Sequence, residues 1–566
     1  MPESTRPAWS HAVVRTLASF VLGGLAACGD ASTPAPETGT AGGTVVVATP
    51  AEPDNLAPPI TTSQLGHIIE DLVFERLADL GPALNTVGDA GFTPRLATRW
   101  RWAADSLSIA FTLDSAARWH DGRPVRADDV RFTFELTRDP RTASPLAALI
   151  GNIDSVSVRD ERTAVVWFRR RTPEQFFEAT YQLVIVPRHL LASVDRAQLA
   201  ASDFARNPVG SGPLRFAGWK AGQALTLVAD TTAGRRRAKL DRVVFTIAPD
   251  PQTAYTRFAT GEADIFEAVR PDRVAEVAAN ASLRLQLLPS LDYQYVAFNF
   301  FRDGSTTPHP VLGDRVVRQA LVLASNRPAI VRNIYDSLAV VALGPFTRAL
   351  ASADTSLRPA PVSPDSAEQL LDAAGWRRGA DSMRVRDGVR LAFSILVPST
   401  SAARLRAATL LQEQFRRIGV QVTLEQVDFP TFLSRLDARR FEALMGAWQS
   451  DPSPSGVRQT WGSTGAVAGG ENAGRYRSAV FDAHVDSGLA AFDPALMKAH
   501  FAAAWRVIND DAPAIWLAES RRVLGLHARL QPVGMRPDAW WAQLDQWTIR
   551  PGARLARDGG EATATR

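Results

Sequence analysis

The first folded pattern along the chain is Thr44–Thr49 (TVVVAT), β-branched and apolar on both faces, which predicts a central strand closed by Pro50 and Pro53. The period then changes. Leu65, Ile68, Ile69, Leu72, Val73 and Leu77 recur at helical spacing and predict a helix over 64–77. Ser108–Leu113 (SIAFTL) alternates with period two, as a half-buried antiparallel strand does. Shorter stretches at 155–158 and 165–168 follow suit, around a helix that begins near Asp128 with an acidic first turn and with Val130 and Phe134 on one face. Strands are predicted at 223–229 and 241–247. Pro251 opens a helix with Ala254, Phe258 and Ala259 inward, Gly261 ends it, and 263–265 is a short strand. Strand, helix and strand joined by short links imply a parallel α/β unit.

An aromatic extended run at 293–301 (YQYVAFNFF) precedes a second series. Val316, Ala320, Leu321 and Leu323 mark one helix. Ala367, Leu370, Leu371 and Ala374 mark another, with Gly375 placed as its left-handed cap. The clearest α/β unit follows: a strand at 391–397, a helix over 404–418 with Ala408, Leu411, Phe415 and Ile418 inward, the cap Gly419, and alternation at Val420, Val422 and Leu424. Pro430 starts a further helix, and a strand at 441–448 has its far end toward a cleft. Extended pattern returns at 514–517 and 522–526. The chain therefore divides into one lobe of 44–296 plus 512–566, carrying a subdomain inserted around 85–200, and a second lobe of 297–511. No tandem repeat of 20–50 residues is present.

The 566 residues exceed what one core usually supports, which agrees with two lobes. Lysine and arginine number 63 against 59 acids, and only Lys220, Lys239 and Lys498 are lysines. The near balance of charge argues against a nucleic-acid partner. The run Arg235, Arg236, Arg237 reads as a solvated turn. The single cysteine, Cys28, leaves no intramolecular disulfide. It follows an apolar stretch of 12 residues at 16–27 (TLASFVLGGLAA) behind Arg6 and Arg15. As a helix this stretch spans about 18 Å, short of a hydrocarbon core of about 30 Å. That length fits a signal peptide over 1–27. The ending Leu25-Ala26-Ala27-Cys28 resembles a bacterial lipobox, so Cys28 is expected to carry lipid and 28–43, rich in small residues and proline, to be a flexible tether. The body then sits in the periplasm or cell envelope, lipid-anchored to a membrane. HExxH, GxSxG at a nucleophile elbow and GxxxxGK[ST] are all missing, and the eight histidines show no tight metal spacing. No enzyme, cofactor or metal is expected.

A series of motifs carries a resemblance. Thr44-Val45-Val46-Val47 with Ala51-Glu52-Pro53-Asp54-Asn55-Leu56, then Leu96-Ala97, Trp100 and Phe111-Thr112-Leu113, come first. The strongest is the stretch from Ala117 to Val130, ARWHDGRPVRADDV. Asn207 to Leu214 (NPVGSGPL), Gly261 to Ile265 (GEADI), Ala297-Phe298-Asn299 and Leu370 to Trp376 (LLDAAGW) complete the set. In this order they resemble family 5 of the bacterial extracellular solute-binding proteins, the oligopeptide- and dipeptide-binding lipoproteins of ABC importers. The resemblance implies an α/β periplasmic-binding-protein type II-like fold, with two lobes, a ligand cleft and two crossing strands. One departure is Arg126, where the family often has a helix-capping hydroxyl, so that Asp128 is expected to cap instead.

The resemblance also implies a site. Trp448-Gln449-Ser450-Asp451 matches the spacing at which peptide-binding members pair an aspartate with the peptide α-ammonium, which assigns Asp451 to that role and Trp448 to an apolar wall. Asp451-Pro452 equally fits a plain turn, and Ser453-Pro454 replaces the family's further Asp-Pro. Trp461 and Gly462 are expected to shape a side-chain pocket. Asn299 and Phe300 are expected where the crossing strand meets the cleft and offers a backbone edge to an extended peptide. Phe298, Trp516, Trp119 and His120 read as structural, and Trp540, Trp541 and Trp547 as lobe packing. The expected function is the binding component of an ABC importer, a monomer that delivers a short peptide to permease subunits. Nickel, haem or an oligosaccharide as cargo, a peptide chaperone or sensor, and an extracytoplasmic hydrolase are the alternatives.

Overall fold

The computed structural model describes residues 39–559 apart from 233, 234 and 268. The signal peptide expected over 1–27, Cys28 and the first part of the expected tether, to residue 38, lie outside the described residues.

Thr44–Thr49 is buried at every position because its alternate side chains enter separate cores. Val45 and Val47 pack with Leu225 and Phe245, whereas Val46 and Ala48 pack with Tyr255 and Phe258. The strand sits in the middle of a seven-stranded sheet, parallel to both Arg242–Ile247 and Ile265–Phe266. The strand–helix–strand unit predicted over 241–265 is thus parallel, but Thr44–Thr49 lies between its two strands. The second lobe holds a six-stranded sheet in the order Ala339–Val341, Ala514–Ser520, Asp292–Phe298, Ala443–Gln449, Ala392–Pro398, Gln421–Val427. Its last two strands pair in parallel and are joined by the helix Ala402–Arg417, with Ala408, Leu411 and Phe415 buried.

Two strands cross between the lobes. Leu283–Leu288 and Arg522–His527 pair antiparallel in the first sheet, and their continuations Asp292–Phe298 and Ala514–Ser520 pair antiparallel in the second. The sheets therefore part at 289–291 and at Arg521, not at 296/297 and 511/512 as the sequence pattern placed them. Apolar alternation runs on through a strand pair that changes sheets, so the pattern carries no mark of the crossing. A four-stranded sheet of Ala97–Trp102, Ser108–Leu113, Thr163–Phe168 and Ile153–Asp160 shares the first-lobe core through Phe111 and Phe168.

Local differences have local causes. The helix predicted over 64–77 ends at Val73, because Phe74 turns extended; Leu77 is still buried, just ahead of Ala78–Leu80. The helix Ala127–Arg138 is capped through Asp129, which accepts the Arg126 N–H at 2.8 Å and the Arg188 N–H at 2.9 Å. Asp128, expected to cap, faces Arg188 in an ion pair at 3.0 Å instead. The arginine run is not a solvated turn either. Arg235 bridges Glu75 and Asp114 at 3.2 and 3.1 Å, and Arg236 meets the buried Asp545 at 2.5 Å.

Two of the motifs interlock. The Gly210 carbonyl accepts the His120 N–H at 2.8 Å, and His120 spans the loop with Nδ1 at 3.2 Å from the Gly210 N–H and Nε2 at 2.9 Å from the Gly212 carbonyl. The same loop closes on the end of the helix Gln64–Val73, where the Gly212 N–H donates to the Val73 carbonyl at 2.8 Å. A methyl group on Gly210 would collide with that carbonyl oxygen, which is backbone and cannot swing aside. Gly210→Ala is expected to cost about 2–3 kcal/mol, the upper range for overpacking, read as a lower urea midpoint. A variant of wild-type stability would refute this contact.

Candidate functional site

The site starts from the loop before Gln64–Val73. Asp54 accepts from the Thr62 and Ser63 hydroxyls at 2.8 and 2.6 Å. Burial opposes its ionisation, but the Ser63 and Thr62 bonds prevail and hold its carboxyl down at about 2. Ser63 in turn caps the helix by accepting the Gly66 N–H at 3.2 Å. So fixed, the helix presents Gln64, His67, Glu70 and Asp71 to a cleft between the lobes.

This part of the cleft holds two cavities of about 760 and 390 Å³ that share Gln64, Gln449 and Arg522, and a further cavity of about 580 Å³ lies between the lobes at Glu174 and Arg458. These volumes are ordinary for small-molecule sites. First-lobe Glu267, Val269 and Arg270 face second-lobe Asp292, Tyr335, Ser401 and Arg406 across the larger cavity. The smaller holds Asp451 with His67, Glu70, Asp71, Leu146, Leu149, Tyr181 and Trp541.

The two cavities differ in charge. In the smaller one, Asp451 keeps solvent access but is crowded by protein, and that dehydration raises its carboxyl above the usual range, partly offset by His67. It has no hydrogen-bond partner or ion pair among the described residues. Asp71 is engaged by Arg76 at 2.5 Å and by the Trp541 indole N–H at 2.8 Å. Asp538 is engaged by Arg536 at 3.0 Å and by the Tyr181 hydroxyl at 3.2 Å. In the larger cavity, Arg406, Arg521 and Arg522 line the wall and make no ion pair among the described residues. Glu267, half-buried and accepting the Trp540 indole N–H at 3.0 Å, is raised by the dehydration that surrounding protein imposes, with Arg522 acting in the opposite direction. Beyond the cleft the lobes also touch. Glu174 accepts from first-lobe Thr86 at 2.5 Å and from second-lobe Ser453 at 2.8 Å, and the Arg171 guanidinium lies 4.3 Å from the centre of the Phe492 ring.

Of the residues expected in the site, the structure places Asp451 in the cleft and the others outside it. Trp448, half-buried, stands opposite Tyr293 across the strand pair and packs against the second-lobe core; Gln449, next along the strand, lines both cavities. Trp461 is core: its indole N–H donates to the Tyr293 hydroxyl at 2.8 Å, and its ring centre lies 4.7 Å from that of Trp516. Gly462 is buried after the helix Gly456–Trp461, its carbonyl accepting from the Asn472 amide at 3.0 Å. Asn299, fully buried, donates to the Phe441 carbonyl at 2.9 Å, and Phe300 lies under the Arg318 guanidinium at 4.0 Å. Both follow the distal end of Asp292–Phe298, whose cleft end is Asp292, about 20 Å away along the strand. Trp540 and Trp547 are core, but Trp541, read as lobe packing, lines the smaller cavity. Gln64, His67, Glu70 and Arg522 were not singled out from the sequence. The one available signal was a charged residue, Glu70, inside an apolar helical stripe.

The family model for bacterial extracellular solute-binding proteins, family 5, matches residues 91–469. A Brucella ovis protein named for peptide binding in an ABC transporter is 28% identical over 442 residues, covering 77% of this chain and 79% of its own. Among solved structures, the oligopeptide-binding protein AppA of Bacillus subtilis, in complex with a nonapeptide, superposes with a TM-score of 0.71 at 22% identity, over 90% of this chain and all of that one. NikZ of Campylobacter jejuni, in complex with Ni(L-His), gives 0.72 at 24% over 89% and 99%. Both structural likenesses concern the fold.

Proposed function

Because the chain belongs to family 5 of the bacterial extracellular solute-binding proteins, we propose that it captures a short peptide between its lobes and delivers it to an ABC importer, tethered to the membrane through Cys28. The observation that carries the peptide reading is the polarity of the cleft. Asp451, without a hydrogen-bond or ion-pair partner among the described residues, stands in one cavity; Arg406 and Arg521, in no ion pair among the described residues, line the other, and Arg522 borders both. A zwitterion laid across both places its ammonium on the aspartate and its carboxylate among the arginines, each as a charge-assisted hydrogen bond. Capture fits the hinge, since only 289–291 and Arg521 connect the two sheets, and ligand contacts to both lobes favour the closed state. The names of the relatives point the same way.

Native mass spectrometry of protein purified without denaturation tests this reading. The expected result is an adduct that fragments as a peptide. An adduct that proves to be a sugar or a metal chelate would overturn it.

A further inference from the structure

Glu70 is out of place on its helix. Leu65, Ile68, Ile69, Leu72 and Val73 around it all enter the first-lobe core, and the glutamate among them is only 3% exposed. One carboxylate oxygen, Oε2, is met by His67 Nδ1 at 3.2 Å. The other, Oε1, is buried without a hydrogen-bond partner. Burial raises the Glu70 carboxyl, opposed by His67 and by the nearby Thr61 hydroxyl, which itself lies 3.0 Å from Asn55 Oδ1 and 3.1 Å from the Ala57 carbonyl. A dehydrated carboxylate oxygen left without a donor is costly, and a donor brought by a ligand would relieve that cost.

Glu70 lines the same cavity as Asp451, from the opposite lobe. The two other acids there are already engaged, Asp71 by Arg76 and Trp541 and Asp538 by Arg536 and Tyr181. That leaves two carboxylates with acceptor capacity, one more than a single α-ammonium uses. Pro58, Leu146, Leu149 and Val184 contribute apolar patches to the otherwise polar wall of the same cavity, a surface on which an aliphatic stem that ends in a charge can lie.

We propose that Glu70 is a specificity-determining residue that receives a second cationic group of the ligand, so that the cleft selects peptides whose first side chain is basic. The inference rests on the peptide reading above and adds to it the kind of peptide. Asp451 takes the α-ammonium. The lysine or arginine stem lies along Leu146 and Leu149, and its head donates to Oε1 of Glu70 while His67 keeps Oε2.

Isothermal titration at neutral pH with two peptides of equal stem length, Lys-Ala-Ala and norleucine-Ala-Ala, tests this. The wild-type protein is expected to prefer the lysine peptide by about tenfold or more, as for one charge-assisted hydrogen bond. Glu70→Gln is expected to bring the two within about threefold by weakening the lysine peptide alone. Should Glu70→Gln not fold, Glu70→Met, which suits the apolar helix face, takes its place. Equal binding of both peptides by the wild type, or a preference that survives the substitution, overturns the role of Glu70 and leaves the peptide reading standing. Failure to bind either peptide overturns the peptide reading itself, and this inference with it.

Discussion

Asp451→Asn is expected to weaken binding of a peptide with a free N-terminus by about 2–4 kcal/mol, roughly thirtyfold to a thousandfold, and to leave an N-acetylated peptide almost unaffected. Removing one partner of a desolvated charge pair costs this much because the ammonium left behind has lost its water and gained no counter-charge. Asp451 keeps solvent access, which screens the pair and favours the lower half of the range. The same environment fixes the sign of the pH dependence. Partial dehydration by the surrounding protein raises the Asp451 carboxyl, so at low pH the group is protonated and must give up its proton before it can accept an ammonium. Affinity therefore falls as pH drops through that raised value, and it plateaus above it until the peptide's own α-ammonium, at about 8, begins to deprotonate. His67, whose protonation is favoured by Glu70, adds positive charge to the cavity in the same acid range and steepens the fall. Titration calorimetry from pH 5 to 8 on both proteins checks this. An Asn variant with wild-type affinity would remove Asp451 from the site and leave the fold untouched.

That the family resemblance pointed to the cleft position of Asp451 and to little else of the cavity has a geometric reason. The spacing from Trp448 to Asp451 is local, and it survives translation into structure as the end of Ala443–Gln449 and the turn after it. Local spacing does not say which side of a strand a residue takes. With a period of two, Trp448 and Gln449 fall on opposite faces; the indole, attractive as a wall for ligand, goes to the core with Tyr293, and the unremarked glutamine faces the cleft. The remaining wall comes from near 64–71, 146–149, 267–272, 400–406 and 520–522, segments whose meeting depends on strand order. Thr44–Thr49 shows the same limit in the fold. Its burial was evident from an unbroken apolar run, but its place between Arg242–Ile247 and Ile265–Phe266 was not.

The motif that ends at Ile265 leads to the second large effect. Asp264 is fully buried and binds Arg529 through both oxygens, at 2.7 Å to Nε and 2.8 Å to Nη2. Arg529 continues to Asp558 at 2.7 Å and to the Thr44 carbonyl at 2.6 Å. The network then returns to the central strand: Asp558 accepts the Thr44 N–H at 2.8 Å, and Asp264 accepts the Val46 N–H at 2.9 Å. One arginine thus neutralises two buried carboxylates and fastens the C-terminal residues to the first strand of the lobe. Arg557 supplies a second cation to Asp264 at 2.7 Å but is farther into solvent. Arg529→Met fills similar volume and leaves both acids facing each other with their main donor gone. A destabilisation of about 3–5 kcal/mol is expected, as for breaking a buried pair from one side. Arg529→Lys should recover part of it, since an ammonium restores the charge but not the two-pronged fit to Asp264. Burial works against the ionised form of Asp558, yet the bonds from Thr44, Leu555 and Arg529 prevail and hold its carboxyl below the usual range. The stability it contributes is therefore fully present above the ordinary carboxylate pKa and is lost as pH falls toward its lowered value, so the gap between wild type and Arg529→Met should narrow in acid. Urea midpoints at neutral and acid pH measure both effects. A neutral-pH loss below about 1 kcal/mol would mean that Arg557 and solvent carry these carboxylates without Arg529.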